Sequence, residues 1–384
     1  PITDSYVEHI DLCLACRACE TACPSGVEYG KLVEAARAQI EQERPRPFFS
    51  RLARSFIYGR VLVSPGWMRL AGNLAALYHA TGLQRLVRST RVLKGLGRLE
   101  KLERLLPPAE RPFFFGQIGR TFPPHGERRY RVAFVAGCLA NVSFSRLNEA
   151  TVRVLQQNGC EVVVPAGQNC CGALHVHAGL RDLARQLARR NIEAFEAAAC
   201  DAIITNAAGC GSTLKEYGEL LERDPSFHGR ARAFSARVKD VSEFLGSIDL
   251  NREMGPLNIT ATYQDSCHLA HGQRVRLEPR RLLEAVPGLQ FRELPLSDLC
   301  CGSAGVYNVQ HNEMSMWLLE KKMQMASTTG ADTIVTANPG CMLQLRAGAD
   351  LFGRHQRVLH VVEVLDEAYR KAAAPPARRE DKQG

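Results

Sequence analysis

The chain has 384 residues, 14 cysteines, 45% hydrophobic residues and a formal net charge of +9. At ~150 residues per domain that length holds two or three domains with ample core, and the composition excludes a wholly disordered or fibrous chain. No stretch approaches the ~20 uninterrupted apolar residues of a membrane-spanning helix, and no charged-then-apolar signal opens the chain at Pro1. Without an export signal, clustered cysteines point to metal or redox chemistry more than to disulfides.

The first cluster is Cys13, Cys16, Cys19 and Cys23, followed by Pro24. C-x2-C-x2-C-x3-C-P is the bacterial ferredoxin run. Thiolates are the soft ligands that iron–sulfur clusters select. Ala15 and Ala18 let the loop wrap closely, and Pro24 fixes φ after the fourth cysteine. In two-cluster ferredoxins that fourth cysteine ligates the other cluster. Only one run is present. The missing run is therefore expected upstream of Pro1, making residues 1–30 the C-terminal half of a ferredoxin-like domain. A single-cluster variant closed by Cys23, or a zinc knuckle, are the alternatives.

Residues 31–130 read as a basic helical connector. Residues 31–131 hold 20 Lys and Arg against 7 Asp and Glu, a net charge of +13, leaving −4 for the rest. Apolar residues recur at helical spacing: Leu70, Leu74, Leu77 and Tyr78, then Leu83, Leu86 and Val87, then Leu96, Leu99, Leu102, Leu105 and Leu106. A solvated basic face competes with a docking surface for an acidic partner subunit or anionic lipid headgroups. Nucleic acid is not expected as a partner, because no helix-turn-helix, zinc-finger or aromatic RNA-binding signature accompanies the charge.

An internal repeat follows. Cys138, Cys170, Cys171 and Cys210 recur as Cys267, Cys300, Cys301 and Cys341, at offsets of 129, 130, 130 and 131 residues. A glycine follows each vicinal pair, and duplication explains the match. Strands are expected at 131–136, 161–165 and 202–206, with helices over about 144–157 and 180–199 between them. The second repeat mirrors them with strands at 258–263, 289–294 and 333–337. Each patterned cysteine then lies past the carboxyl end of a strand, the edge of an open α/β sheet where ligands bind. Cys160 and Cys200, outside the pattern, are expected to be core. The fold class is thus α/β: two duplicated cysteine-rich, Rossmann-like repeats at 131–255 and 256–370, behind the ferredoxin-type segment and the connector. Residues 371–384 read as a disordered tail.

His268, next to Cys267, is a candidate cluster ligand or hydrogen-bond donor. His175 and His177 are weaker candidates for the same roles. No strand is followed by G-x-G-x-x-G, so the chain does not read as a flavin or nicotinamide site.

Paired C…CCG…C repeats resemble the cysteine-rich domains of the heterodisulfide-reductase superfamily. In its founding member each repeat ends in C-x2-C and five cysteines hold a noncubane cluster. Here Cys210 is followed by Gly-Ser-Thr and Cys341 by Met-Leu-Gln, leaving four candidate ligands per repeat. The runs at 13–27, 209–218, 267–273 and 300–308 resemble the glycolate oxidase iron–sulfur subunit family over about residues 5–370. That resemblance implies an electron-transfer subunit carrying 4Fe–4S clusters, with FAD on partner flavoprotein subunits that oxidise glycolate to glyoxylate. Electrons would pass to a membrane quinone. The chain would be cytoplasmic, peripheral on the inner face of the cytoplasmic membrane, touching it through residues 31–131, and inactive toward glycolate alone. A heterodisulfide-reductase-like catalyst, a subunit like that of anaerobic glycerol-3-phosphate dehydrogenase, and a structural zinc protein are the competing readings.

Overall fold

The computed structural model describes residues 2–44, 46–90, 92, 103, 108–352 and 355–373. Two parallel sheets organise the chain. The first contains β1 (Thr121–Phe122), β2 (Tyr130–Val135), β3 (Cys160–Val163), β4 (Ala202–Thr205) and β5 (Val238–Asp240), in the order β1-β3-β2-β4-β5. The second contains β6 (Thr260–Tyr263), β7 (Gln290–Arg292), β8 (Thr333–Thr336) and β9 (Arg357–His360), in the order β7-β6-β8-β9. Apart from β1, which pairs antiparallel to β3, the two orders map onto each other strand for strand. The duplication read from cysteine spacing is therefore a duplication of topology.

Strands β4 and β8 are buried at every residue, as expected of parallel strands covered on both faces. The expected strands are present, with ends shifted by a few residues. β5 and β9 were not anticipated from the sequence. Each is only three or four residues long, is half polar and runs directly into a helix, so neither shows a strand period of its own. Residues 371–373 continue the last helix, and 374–384 lie outside the described residues.

The repeats share one core. Phe134, Leu155, Tyr263 and Leu365 belong to a single buried apolar cluster spanning both. The closing helix of each repeat packs on the opening helix of the other. Val361–Ala373 lies against Ser145–Gln157, and Val241–Ser247 against Leu277–Glu284. At the first contact Arg153 makes a two-pronged pair with Asp366, at 2.8 and 2.9 Å. Tyr369 donates to the Asn251 carbonyl at 2.7 Å.

The N-terminal part consists of helices α1 (Asp4–Leu12), α2 (Ala18–Ala22), α3 (Tyr29–Glu43), α4 (Phe48–Phe56), α5 (Pro65–Ala80) and α6 (Leu83–Ser89). The helical reading of the connector holds over these elements. Its periodic leucines face outward, however: Leu70, Leu74 and Leu77 are exposed, while Met68 and Gly72 form the buried face of α5. Leu96, Leu99, Leu102, Leu105 and Leu106 lie outside the described residues.

A shared core predicts shared cooperativity. Urea unfolding of the chain is expected to show both repeats melting in one transition. Leu155→Ala, at a fully buried site, should lower stability by about 2–5 kcal/mol while keeping that transition single. Two separated transitions would contradict the shared core.

Candidate metal centres

A strand order of 2-1-3-4 has its switch point between its first and third strands, and loops leaving the carboxyl ends there open a crevice. In the first repeat these strands are β2 and β4. Cys138 follows β2 and Cys210 lies in the first turn of the helix after β4. Cys170 and Cys171 arrive on the loop after β3. The second repeat does the same with Cys267 after β6, Cys341 after β8 and Cys300 with Cys301 after β7.

The glycine of each Cys-Cys-Gly has a backbone reason. Gly172 and Gly302 sit at φ +86° and +88°, a left-handed conformation that favours glycine. A Cβ on Gly302 would also collide with the Ser315 carbonyl. The turn leaves backbone N–H groups aimed at sulfur: Gly172 N–H donates to Cys170 Sγ at 3.5 Å and Gly302 N–H to Cys300 Sγ at 3.4 Å.

Within each repeat the four sulfurs form a chain of neighbours. Cys138 Sγ lies 3.5 Å from Cys170 Sγ. Cys170 meets Cys171, and Cys171 meets Cys210. The second repeat runs Cys267, Cys300, Cys301, Cys341 in the same way. The Cys267 and Cys301 thiols hydrogen-bond to Cys300 and hold it well below the usual thiol range. Cys341 is lowered by its bond with Cys301. Cys138 is pushed well above that range by its bond with Cys170 and then by burial.

Both quartets line one cavity of about 320 Å³, and Cys13 joins them. Two repeats with a switch point each would give two crevices; the structure merges these. Among the described residues no three His, Cys, Asp or Glu side chains converge on a single-ion position. The sulfurs are instead strung along the cavity wall. All-sulfur donors, four per repeat, with N–H groups directed at sulfur, fit the thiolate set of an iron–sulfur cluster.

The ferredoxin-type run docks beside this cavity, held by contacts to both repeats. His268 Nε2 donates to the Ala15 carbonyl at 3.0 Å, and Tyr307 OH donates to the Leu12 carbonyl at 3.2 Å. Arg37 donates to the Cys13 carbonyl at 2.6 Å. Arg17, 6% exposed, bonds Glu216 and reaches Ser212 Oγ at 3.3 Å. Ala15 and Arg17 are themselves left-handed, at φ 52° and 62°, strain that these contacts hold in place. Cys16 comes under the electrostatic influence of Cys300 and is raised, first by burial. Cys19 is exposed, and Cys23 is lowered by the N–H groups of Val27 and Ser25. The run's four cysteines thus divide, with Cys13 reaching the shared cavity and Cys19 facing solvent.

The remaining sequence candidates sort clearly. Cys160 and Cys200 are buried in the apolar clusters. His175 Nε2–H donates to the Tyr58 carbonyl, 2.9 Å away, as a core histidine. His177 lines the cavity with its ring 5.3 Å from that of His268. Burial lowers His268 to about 4. With Nε2–H committed to Ala15, its Nδ1 carries the lone pair. Arg17, Arg37 and Tyr307 were not singled out from the sequence. For Arg17 the available signal was a basic residue set between two ligand-spaced cysteines, Cys16 and Cys19.

The fold and site define a duplicated cysteine-rich domain protein of the iron–sulfur oxidoreductase class. The family model for the cysteine-rich domain matches residues 132–215 and 261–346, and that for the linker region of the glycolate oxidase iron–sulfur subunit matches residues 49–106. The chain is 43% identical over 371 residues to the probable glycolate oxidase iron–sulfur subunit of Bacillus subtilis, covering 95% of this chain and 84% of that one. It is 31% identical over 376 residues to the glycolate oxidase iron–sulfur subunit of Escherichia coli, covering 96% and 84%. The chain belongs to the glycolate oxidase iron–sulfur subunit family.

Beside the cavity, Glu34 Oε1 lies 3.6 Å from His177 Nδ1. Burial, then repulsion from Glu216, raises the Glu34 carboxyl from 4.5 to about 7. A raised acid contributes stability that is present below about 4.5 and lost as pH rises through about 7. Glu34→Gln should therefore flatten the decline in urea midpoint across that window and exceed the parent above it. An unchanged slope would show that Glu34 does not titrate there.

Proposed function

We propose that each repeat holds a 4Fe–4S cluster, through Cys138, Cys170, Cys171 and Cys210 in the first and Cys267, Cys300, Cys301 and Cys341 in the second. Cys13, Cys16, Cys19 and Cys23 serve a ferredoxin-type site at the edge of the same cavity. A bound cluster supplies one-electron transfer. The chain's own residues position it: the Cys-Cys-Gly turns aim thiols and N–H groups at it, and Arg17, Tyr307 and His268 hold the ferredoxin run against the repeats. His268 acts in this reading as a neighbour that fixes the run, not as a ligand. Electrons enter from flavoprotein subunits that carry FAD and oxidise glycolate to glyoxylate. They leave to a quinone, with the chain peripheral on the cytoplasmic face of the membrane. The chain alone does not oxidise glycolate. The observation that carries this reading is the convergence of both quartets and Cys13 on one cavity.

A second reading, reduction of a disulfide at a repeat cluster, draws on the cavity that both quartets line. A paramagnetic thiol-bound state on adding a disulfide would favour it.

Cysteine replacement tests the ligand sets. Cys171→Ala and Cys301→Ala should each remove the iron and acid-labile sulfide of one repeat and leave the other largely loaded. Iron content equal to the parent in both variants would show that the vicinal pairs are not ligands, and zinc without sulfide would replace electron transfer with a structural metal.

A further inference from the structure

The connector carries a feature that electron transfer does not use. On α4, Phe49, Leu52 and Phe56 fall at i, i+3 and i+7, and all are exposed. On α5, Trp67, Leu70 and Leu74 repeat that spacing and are also exposed. The two rows join, because the Phe56 and Trp67 rings lie edge to face with centroids 5.3 Å apart. Phe49 is 81% exposed and Leu74 59%, so this is a continuous outward apolar stripe and not a half-covered core.

The stripe is fixed from behind. Gly72, on the opposite face of α5, sits so tightly that a Cβ would come within 2.7 Å of Val142 Cγ1 and 2.9 Å of the Phe113 ring. Arg54 turns inward to Glu41 and to the Ala178 carbonyl, each at 3.1 Å. The apolar side chains therefore cannot rotate into the protein without breaking these contacts.

Within residues 46–90 the charge has one sign; Arg46 and Arg54 pair with Glu41 and Arg88 with Glu103, both from outside that span. Residues 46–90 contain seven arginines and no Asp, Glu or Lys. Arg51, Arg60 and Arg85 are exposed. An apolar row of Phe, Trp and Leu flanked by cations matches an in-plane membrane helix, with its apolar face in the acyl boundary and its cations at headgroups. At 16 residues α5 is too short to cross a bilayer, and no helix among the described residues is long and apolar enough to do so.

We propose that the α4–α5 stripe docks on a bilayer surface containing anionic phospholipid. The inference deepens the peripheral-membrane reading above by naming its face and lipid class, and it requires no cluster.

Sedimentation with vesicles of phosphatidylcholine, with and without phosphatidylglycerol, tests it on the full chain. The parent should pellet with the anionic vesicles and be released by salt. Phe49→Ser with Leu74→Ser, and separately Arg51→Glu with Arg85→Glu, should each weaken partitioning by roughly tenfold or more. In a Trp317→Phe background, Trp67 emission should shift to the blue on binding. Equal partitioning of parent and variants, or no preference for phosphatidylglycerol, would overturn the proposal. So would variants that bind vesicles normally but lose flavoprotein subunits or self-association. Iron content does not enter the readout, so failure of the cluster reading and failure of this one are told apart.

Discussion

Everything in this chain depends on where a parallel strand delivers its next loop. The carboxyl edge at a switch point is the one place where three successive loops of a small sheet can meet, and each repeat puts its four cysteines there. Duplication alone would give two separate crevices. The reciprocal packing of closing on opening helices turns them into one. Val361–Ala373 leans on the first repeat and Val241–Ser247 on the second, so both edges open on the same cavity. Thiols that would be isolated core residues if scattered come together as two quartets lining one cavity.

The same constraint explains the surrounding polar groups. A loop carrying paired cysteines needs a left-handed residue to turn them, and Gly172 and Gly302 supply it. The ferredoxin-type run has no sheet of its own. It borrows one, through Arg17 to the first repeat and through His268 and Tyr307 to the second. The connector then has two faces with different tasks. One, through Met68 and Gly72, is core, and the other is the arginine-flanked stripe.

Much of this was legible in the residues. The eight repeat cysteines were readable from their matched offsets, and the structure brings them to one cavity, whereas of the N-terminal four Cys13 alone lines it among the described residues. The strands of each repeat were readable because apolar runs such as Ala202–Thr205 are buried on both faces. What escaped was tertiary or short. β5 and β9 have too few residues to show a period. The merging of two crevices follows from helix exchange between repeats, which no local pattern encodes. The leucines of α5 carried a helical period but not its direction, since Leu70, Leu74 and Leu77 on one face and Met68 with Gly72 on the other are equally compatible with a core. The role of Arg17 depends on Glu216, 199 residues away.

Two cysteine quartets that hold clusters as neighbours across one cavity would couple those clusters magnetically. Electron paramagnetic resonance of the dithionite-reduced, iron- and sulfide-loaded chain reads that coupling. Signals broadened or split by interaction between the two repeat clusters are expected. A single narrow signal from non-interacting centres, in a chain loaded at both repeats, would contradict that arrangement.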